Sequence, residues 1–415
     1  MTVTSTSVQR QPQKIWWSNA IFFVGIHLAA VAGVLVRLPW TVRKETLILT
    51  LIVWQSSSFG ITIGYHRLYS HRAFHASLGV RSVLAILGTM AMQGSIKHRC
   101  LRHRLHHRYT DDDEHDPYSA TRGLLFSHVG WIFFKAKYER MDLIDRQDLE
   151  RDPVVRFQHR YYMPLAIFFG FLLPPLLGLI WADAWGAFIW GGLVSRLLIW
   201  HCTFLVNSLA HWDGLQPYTD ENTSRMNWIL ALLTAGEGNH NFHHSFPYDF
   251  RAGPSPLDWD PSKWVLLVLH QLGFVTGLRR ARLDEIEDAK LFMRSKSHVT
   301  HHDGSSENTG EGEAAWSGPV WDVDQVMEYA ENMGTKTAPC LMVVDGFVID
   351  ATNYMKEHPG GAMVLRKYAI PKDKTKLEGG LWRDAGWAFA GGLNKHSRSA
   401  KRRLVEMRLA RLKVE

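Results

Sequence analysis

Four stretches of the chain are long and apolar enough to cross a bilayer: residues 16–36, 46–64, 163–182 and 186–206. Short loops join the first to the second and the third to the fourth. The long polar segments that follow the second and fourth stretches therefore return to one side. The second stretch contains Gln55 and three serines, and the fourth contains Arg196 and His201. Lipid is costly for such groups, so they are predicted to face protein or a cavity. A further apolar stretch, 78–94, is interrupted by charge. It is predicted to be an interfacial or protein-buried helix, since a fifth crossing would separate the histidine-rich segments across the membrane.

The pattern changes after residue 292. Residues 293–318 are polar and rich in Ser, Gly and acid, the composition of a linker. Then "CLMVVDGFVIDATNYMKEHPGG" predicts two short strands around Asp345-Gly346 and a helix running to the His-Pro-Gly-Gly turn. The predicted organisation is a mainly α, four-helix transmembrane domain with a helical cap over 1–292, a linker over 293–318, and a small α+β domain over 319–415. The basic tail "KRRLVEMRLARLK" is predicted to be the solvated face of a last helix.

Composition narrows this picture. Among 415 residues, 17 are Trp and 20 Phe, and the net charge is +7. The charge favours anionic partners or a membrane surface, and nothing resembles an arginine-rich nucleic-acid module. Cys100, Cys202 and Cys340 share no metal-type spacing, which fits a reducing compartment. The polar N-terminus lacks the features of a cleaved signal peptide. Segment 97–160 is far more basic than loop 183–185, so the large side and both termini are predicted to be cytosolic. Loop 37–45, with Arg37, Arg43 and Lys44, runs against that trend.

The candidate chemistry is imidazole. The pattern H-x-x-H-H occurs three times: His103, His106, His107; His240, His243, His244; and His298, His301, His302. Positions i, i+3 and i+4 share one helix face, so each set can converge on a metal. The third set lies in the linker and is predicted not to be a ligand set. His66 and His71 follow the second span; their spacing of five does not share one face of a regular helix, so the pair is placed where that helix ends. Asn207 and His211 follow the fourth span at i, i+4. Nine histidines exceed one coordination sphere and imply two ions, without selecting the metal. Asp111, Asp112, Asp113, Glu114 and Asp116 are candidates to orient the rings from behind.

"HRLYSH", "HRLHHRYTD…DP", "FSHVGW", "NSLAH" and "GNHNFHHSFP" resemble the membrane acyl-CoA desaturases of the Δ9, stearoyl-CoA type, over about residues 55–275. The resemblance implies a di-iron centre held by His66, His71, His103, His106, His107, His211, His240, His243 and His244, with Asn207 holding a metal-bound water. It implies a tunnel for a long-chain acyl-CoA, dioxygen as co-substrate, and residence in the endoplasmic reticulum membrane. Trp131 and Lys135 match positions at the tunnel and near CoA. Lys97, Arg102, Arg104 and Lys137 are further candidates for a basic mouth. One departure is "KHRCLRH", residues 97–103, where the family usually shows tryptophans and a small–basic pair. A di-iron lipid hydroxylase, or a desaturase of different regiospecificity, is the alternative reading.

The C-terminal pattern, with "NKHSRSA" after it, resembles cytochrome b5 in the extended form fused to fungal-type desaturases. His358 and His396 then match the two axial ligands of haem b, a six-coordinate iron suited to electron transfer. That arrangement implies an NADH-cytochrome b5 reductase as the electron source.

Overall fold

The computed structural model describes residues 13–299, 316–333, 339–358, 360–371, 373–377, 380–392 and 396–413. Four helices are long and apolar enough to span: Trp17–Val36, Lys44–Ser70, Tyr162–Trp181 and Ala184–His211. The second and fourth run past the apolar stretches read from sequence and carry His66 and His211 beyond them on the same rods.

The polar groups inside the spans face protein. Arg196 is fully buried and donates from Nη2 to the carbonyl of Gly170 at 3.2 Å. His201 bonds His27 and His128, each at 3.0 Å. The sides are marked by loop contacts. Trp16 N–H donates to Phe133 O (2.8 Å) and Lys135 N–H to Lys14 O (2.9 Å), so the segment before the first span lies along 133–135. On the opposite side, Asp183 accepts from Arg37 (2.6 Å), the Thr46 hydroxyl (2.8 Å) and the Arg43 N–H (3.2 Å). Arg37, which runs against the charge trend, is thus held there by a carboxylate.

Leu78–Met90 is a 13-residue helix, too short to cross. Ser77 caps it, accepting from Val80 N–H at 3.4 Å. It lies so close to the second span that a Cβ on Gly60 would meet Gly88 N at 2.2 Å, and one on Gly88 would meet the Tyr65 ring at 2.2 Å. Glycine is required at both places by approach, not by backbone conformation.

After the membrane domain a helix runs Leu283–Val299, into the stretch read as linker. His301 and His302 lie outside the described residues, as does the side chain of His298. The C-terminal domain holds a four-stranded sheet in the order Val320–Trp321, Arg408–Leu412, Phe347–Asp350, Leu341–Val344. The last two form the expected hairpin, with Asp345 (φ 51°) and Gly346 (φ 76°) in its left-handed turn.

Two local expectations are corrected. The element before His358 is a three-residue 3₁₀ turn, Tyr354–Lys356, and Pro359 lies outside the described residues. The basic tail is not all helix: it folds as helix Arg398–Glu406 and then strand Arg408–Leu412, paired with Phe347–Ile349. Ala410 is buried while Arg411 is exposed, and the high charge of the segment obscures the strand.

Candidate metal centre and haem site

The second span changes character where the chemistry begins. Residues Gly60–Ser70 are π-helical, with His71 N–H donating to His66 O at 3.1 Å, an i→i+5 bond. Positions five apart, which a regular helix would splay, return to nearly the same face. The rings of His66 and His71 stand 4.8 Å apart, centre to centre. His103, His106 and His107 come from helix Ile96–Arg108, capped by Ser95, and His240, His243 and His244 from the short helix His240–Ser245.

These elements bring the nine histidines into two groups: His66, His71, His103, His107 and His243; and His106, His211, His240 and His244. Nε2 atoms face one another at 3.1 Å (His66, His243), 2.8 Å (His71, His103), 2.9 Å (His107, His243), 3.0 Å (His211, His240) and 3.0 Å (His240, His244). Imidazoles bonded to one ion at about 2.0–2.1 Å, at right angles, hold their nitrogens roughly 3 Å apart. The two groups therefore fit one metal each.

Charge state agrees with ligation. Burial, followed by the neighbouring rings, pushes the pKa values of His71, His103, His107, His240, His243 and His244 well below the ordinary histidine value. Neutral rings offer lone pairs.

The proton on the other ring nitrogen is placed from behind. His106 Nδ1 meets Asp116 at 2.9 Å, and His211 Nδ1 donates to the Thr223 hydroxyl at 2.8 Å, which donates to Asp111 at 2.6 Å. Tyr118 stands 3.4 Å from His103 Nδ1. Glu237 lies 3.2 Å from His66 Nδ1, in charge contact but off the line of a hydrogen bond. Burial acts to raise the Glu237 carboxyl; His66 and Arg67 outweigh it and hold it at about 2. Of the five acids flagged after His103, His106 and His107, Asp116 touches a candidate ligand. Asp111 acts through Thr223, and Asp112 bonds His115 instead.

A small cavity beside His66 and His103 is lined by Ile61, Thr62, Ile199, Val206 and Asn207. Arg99, from the unusual 97–103 stretch, reaches the same cavity, and burial with Arg102 lowers its pKa. Trp131 packs near Tyr118 and Phe204, with the Arg102 guanidinium 4.6 Å from its ring. The basic-mouth set divides. Arg104 is buried on Asp148 and the carbonyls of Tyr69, Ser70 and Asp145, and Lys97 pairs Glu150 at 2.8 Å. Lys135 and Lys137 are exposed.

In the C-terminal domain the rings of His358 and His396 lie 6.4 Å apart, centre to centre. Two imidazoles bound at about 2 Å to opposite sides of one iron stand roughly 6 Å apart. His396 Nδ1 donates to Phe389 O at 2.8 Å. Burial, then His396, pushes His358 down to about 4. Apolar Val344, Ile349, Val364 and Phe389 line the surrounding cavity, of about 620 Å³, as a flat macrocycle requires. The same cavity is also lined by His71, His107 and His244 of the metal groups.

Two histidine groups that each fit one metal, at one end of a four-span bundle, together with a further histidine pair in the C-terminal domain, define a class: membrane non-haem metal oxidases coupled to a haem electron carrier. The "Fatty acid desaturase" family matches over residues 46–249, and the "Cytochrome b5-like Heme/Steroid binding domain" family over 318–376. A probable acyl-CoA desaturase of Schizosaccharomyces pombe is 36% identical, covering 97% of this chain and 80% of its own. Acyl-CoA desaturase 1 of Saccharomyces cerevisiae is 34% identical over 97% of this chain and 74% of its own. Delta(9)-fatty-acid desaturase fat-6 of Caenorhabditis elegans is 35% identical over 66% of this chain and 81% of its own. The chain belongs to the membrane fatty acid desaturase family, in the form that carries a C-terminal cytochrome b5 domain.

Proposed function

We propose that the protein is an acyl-CoA Δ9 desaturase that inserts a cis double bond into stearoyl- or palmitoyl-CoA, with electrons passing through its own haem domain. The observation that carries this reading is the shared cavity, lined both by the His358–His396 pair and by three histidines of the metal groups. When bound, two irons supply an oxidant drawn from dioxygen that is strong enough for an unactivated methylene. Nine imidazoles would hold them, and Asp116 and Thr223 fix which nitrogen of His106 and His211 would face a metal.

Asn207 is assigned to a metal-bound water at the small cavity beside His66 and His103, where Ile61, Ile199 and Val206 are the aliphatic side chains available to the reacting methylenes. Trp131 is assigned to the tunnel and Lys135 to the CoA head. His358 and His396 would hold a haem iron between two imidazoles, which suits electron carriage. An NADH-cytochrome b5 reductase is the proposed donor, in the endoplasmic reticulum membrane with both termini cytosolic. We assign 1–292 to the desaturase domain, 293–318 to the connection and 319–415 to the haem domain.

The test supplies membranes bearing this protein with stearoyl-CoA, NADH and dioxygen. Gas chromatography with mass spectrometry then locates the double bond after derivatisation. Oleoyl product, absent from a His106→Ala control, is expected. A hydroxylated chain would overturn the reaction while keeping the metal site.

A further inference from the structure

The seam between the two domains is bonded at one place that touches both redox sites. The carbonyl of Arg72 follows His71 directly, and the carbonyl of Glu357 directly precedes His358. Arg279 reaches both. Its Nη1 donates to Arg72 O at 3.4 Å and its Nη2 to Glu357 O at 3.1 Å. The backbone of Arg279 is itself pinned, with its N–H on Ala73 O (2.9 Å) and its carbonyl accepting from Phe250 N–H (3.0 Å). The Tyr248 ring lies 5.2 Å from its guanidinium carbon. Arg279 is therefore a fixed post in the membrane domain, not a waving surface cation.

A second clamp flanks it. Arg403 of the haem domain pairs with Glu285 at 3.2 Å and with Glu357 at 3.0 Å, and Glu285 accepts from the Tyr248 hydroxyl at 3.1 Å. Both guanidinium groups thus converge on Glu357, the residue next to the haem ligand.

We propose that Arg279 is a positioning residue for electron transfer: its fork holds the peptide before His358 against the peptide after His71, setting the separation and orientation of the two redox sites. The proposal rests on the desaturase reading above. Each double bond consumes one dioxygen, two protons and two electrons. The acyl chain gives up two hydrogens, the C=C π bond forms, and two waters leave. The two electrons come one at a time from the haem and cross this seam. Fusion supplies proximity but not orientation. A planar fork between two backbone carbonyls supplies orientation, which the rotatable donors of a lysine ammonium do not fix.

The experiment uses the full chain with haem and iron bound, as wild type, Arg279→Ala and Arg279→Lys. The haem is reduced without oxygen, then mixed in a stopped-flow cell with oxygenated buffer with or without stearoyl-CoA. The acyl-CoA-dependent phase of haem reoxidation is read at the Soret band. That phase is expected to slow by at least about tenfold in the alanine variant and about threefold in the lysine variant. Haem content, iron content, the haem spectrum and the rate of haem reduction stay at wild-type values. In steady state kcat falls while KM for acyl-CoA is unchanged. Reoxidation at the wild-type rate in Arg279→Lys would overturn the proposal, including the case in which the alanine variant fails to load haem. A wild-type chain with no acyl-CoA-dependent phase would instead overturn the desaturase reading beneath it.

Discussion

Thr223 does for His211 what Asp116 does for His106: each takes the ring proton that must point away from the metal. Partners of this kind typically contribute 10–100-fold in metal affinity or activity. Thr223→Val removes the acceptor with little change in volume. It is expected to weaken iron retention about 10–100-fold in a chelator titration, with the haem absorbance unchanged; retention equal to wild type would show that Thr223 plays no such part. Residue by residue, the sequence was legible where chemistry repeats in a pattern. All nine histidines were readable from spacing, and Asp116 only as one of five acids that follow His103, His106 and His107. Thr223 carries no signal, because it lies in the loop between two histidine sets and only the fold turns its hydroxyl to His211. Glu237 stands three residues before His240, close enough to have been suspected and not distinctive enough to be named.

Among the elements, the π-helical end of the second span explains how a spacing of five serves one site. Hydrophobic patterning could not reveal it, since π turns arise from packing and not from composition. Here the packing partner is helix Leu78–Met90, pressed against Gly60. Gly60→Ala would force that helix away. Overpacking of this kind costs about 1–3 kcal/mol. Lost iron with normal membrane insertion is the expected outcome, measured as iron per protein in purified membranes. The cap is tied to this segment by Asp148, which bridges Arg72 and Arg104 at 2.8 and 2.6 Å. Burial acts to raise its carboxyl, but hydrogen bonds and charge from Arg104 and Arg72 win and hold it well below the ordinary range. A depressed carboxyl contributes stability that is full above the unfolded value near pH 4 and is lost as pH falls below it. Thermal unfolding in detergent is therefore expected to weaken below about pH 4 in the wild type. Asp148→Asn should already be weaker at pH 7, by about 1–2 kcal/mol after allowance for its partial exposure, and less sensitive to acid. Equal acid sensitivity in both would remove Asp148 from the account.

At the scale of the whole molecule, sequence patterns showed both domains but not the seam between them. Arg282 pairs Glu406 at 2.8 Å and Arg403 pairs Glu285 at 3.2 Å, contacts between residues more than a hundred positions apart that no periodicity marks. The basic tail was misread in part for a related reason: Lys401 and Arg402 do lie exposed on helix Arg398–Glu406, but Arg403 serves the seam and Arg408–Leu412 is an inner strand of the sheet. The account makes one polypeptide both the oxidising site and its electron feed. The most direct measurement is oleoyl formation by the purified full chain given stearoyl-CoA, dioxygen, NADH and cytochrome b5 reductase, with no cytochrome b5 added. Sustained oleoyl production, abolished in His358→Ala with its iron content intact, is the expected result. A wild-type chain that makes product only when separate cytochrome b5 is added would contradict the account.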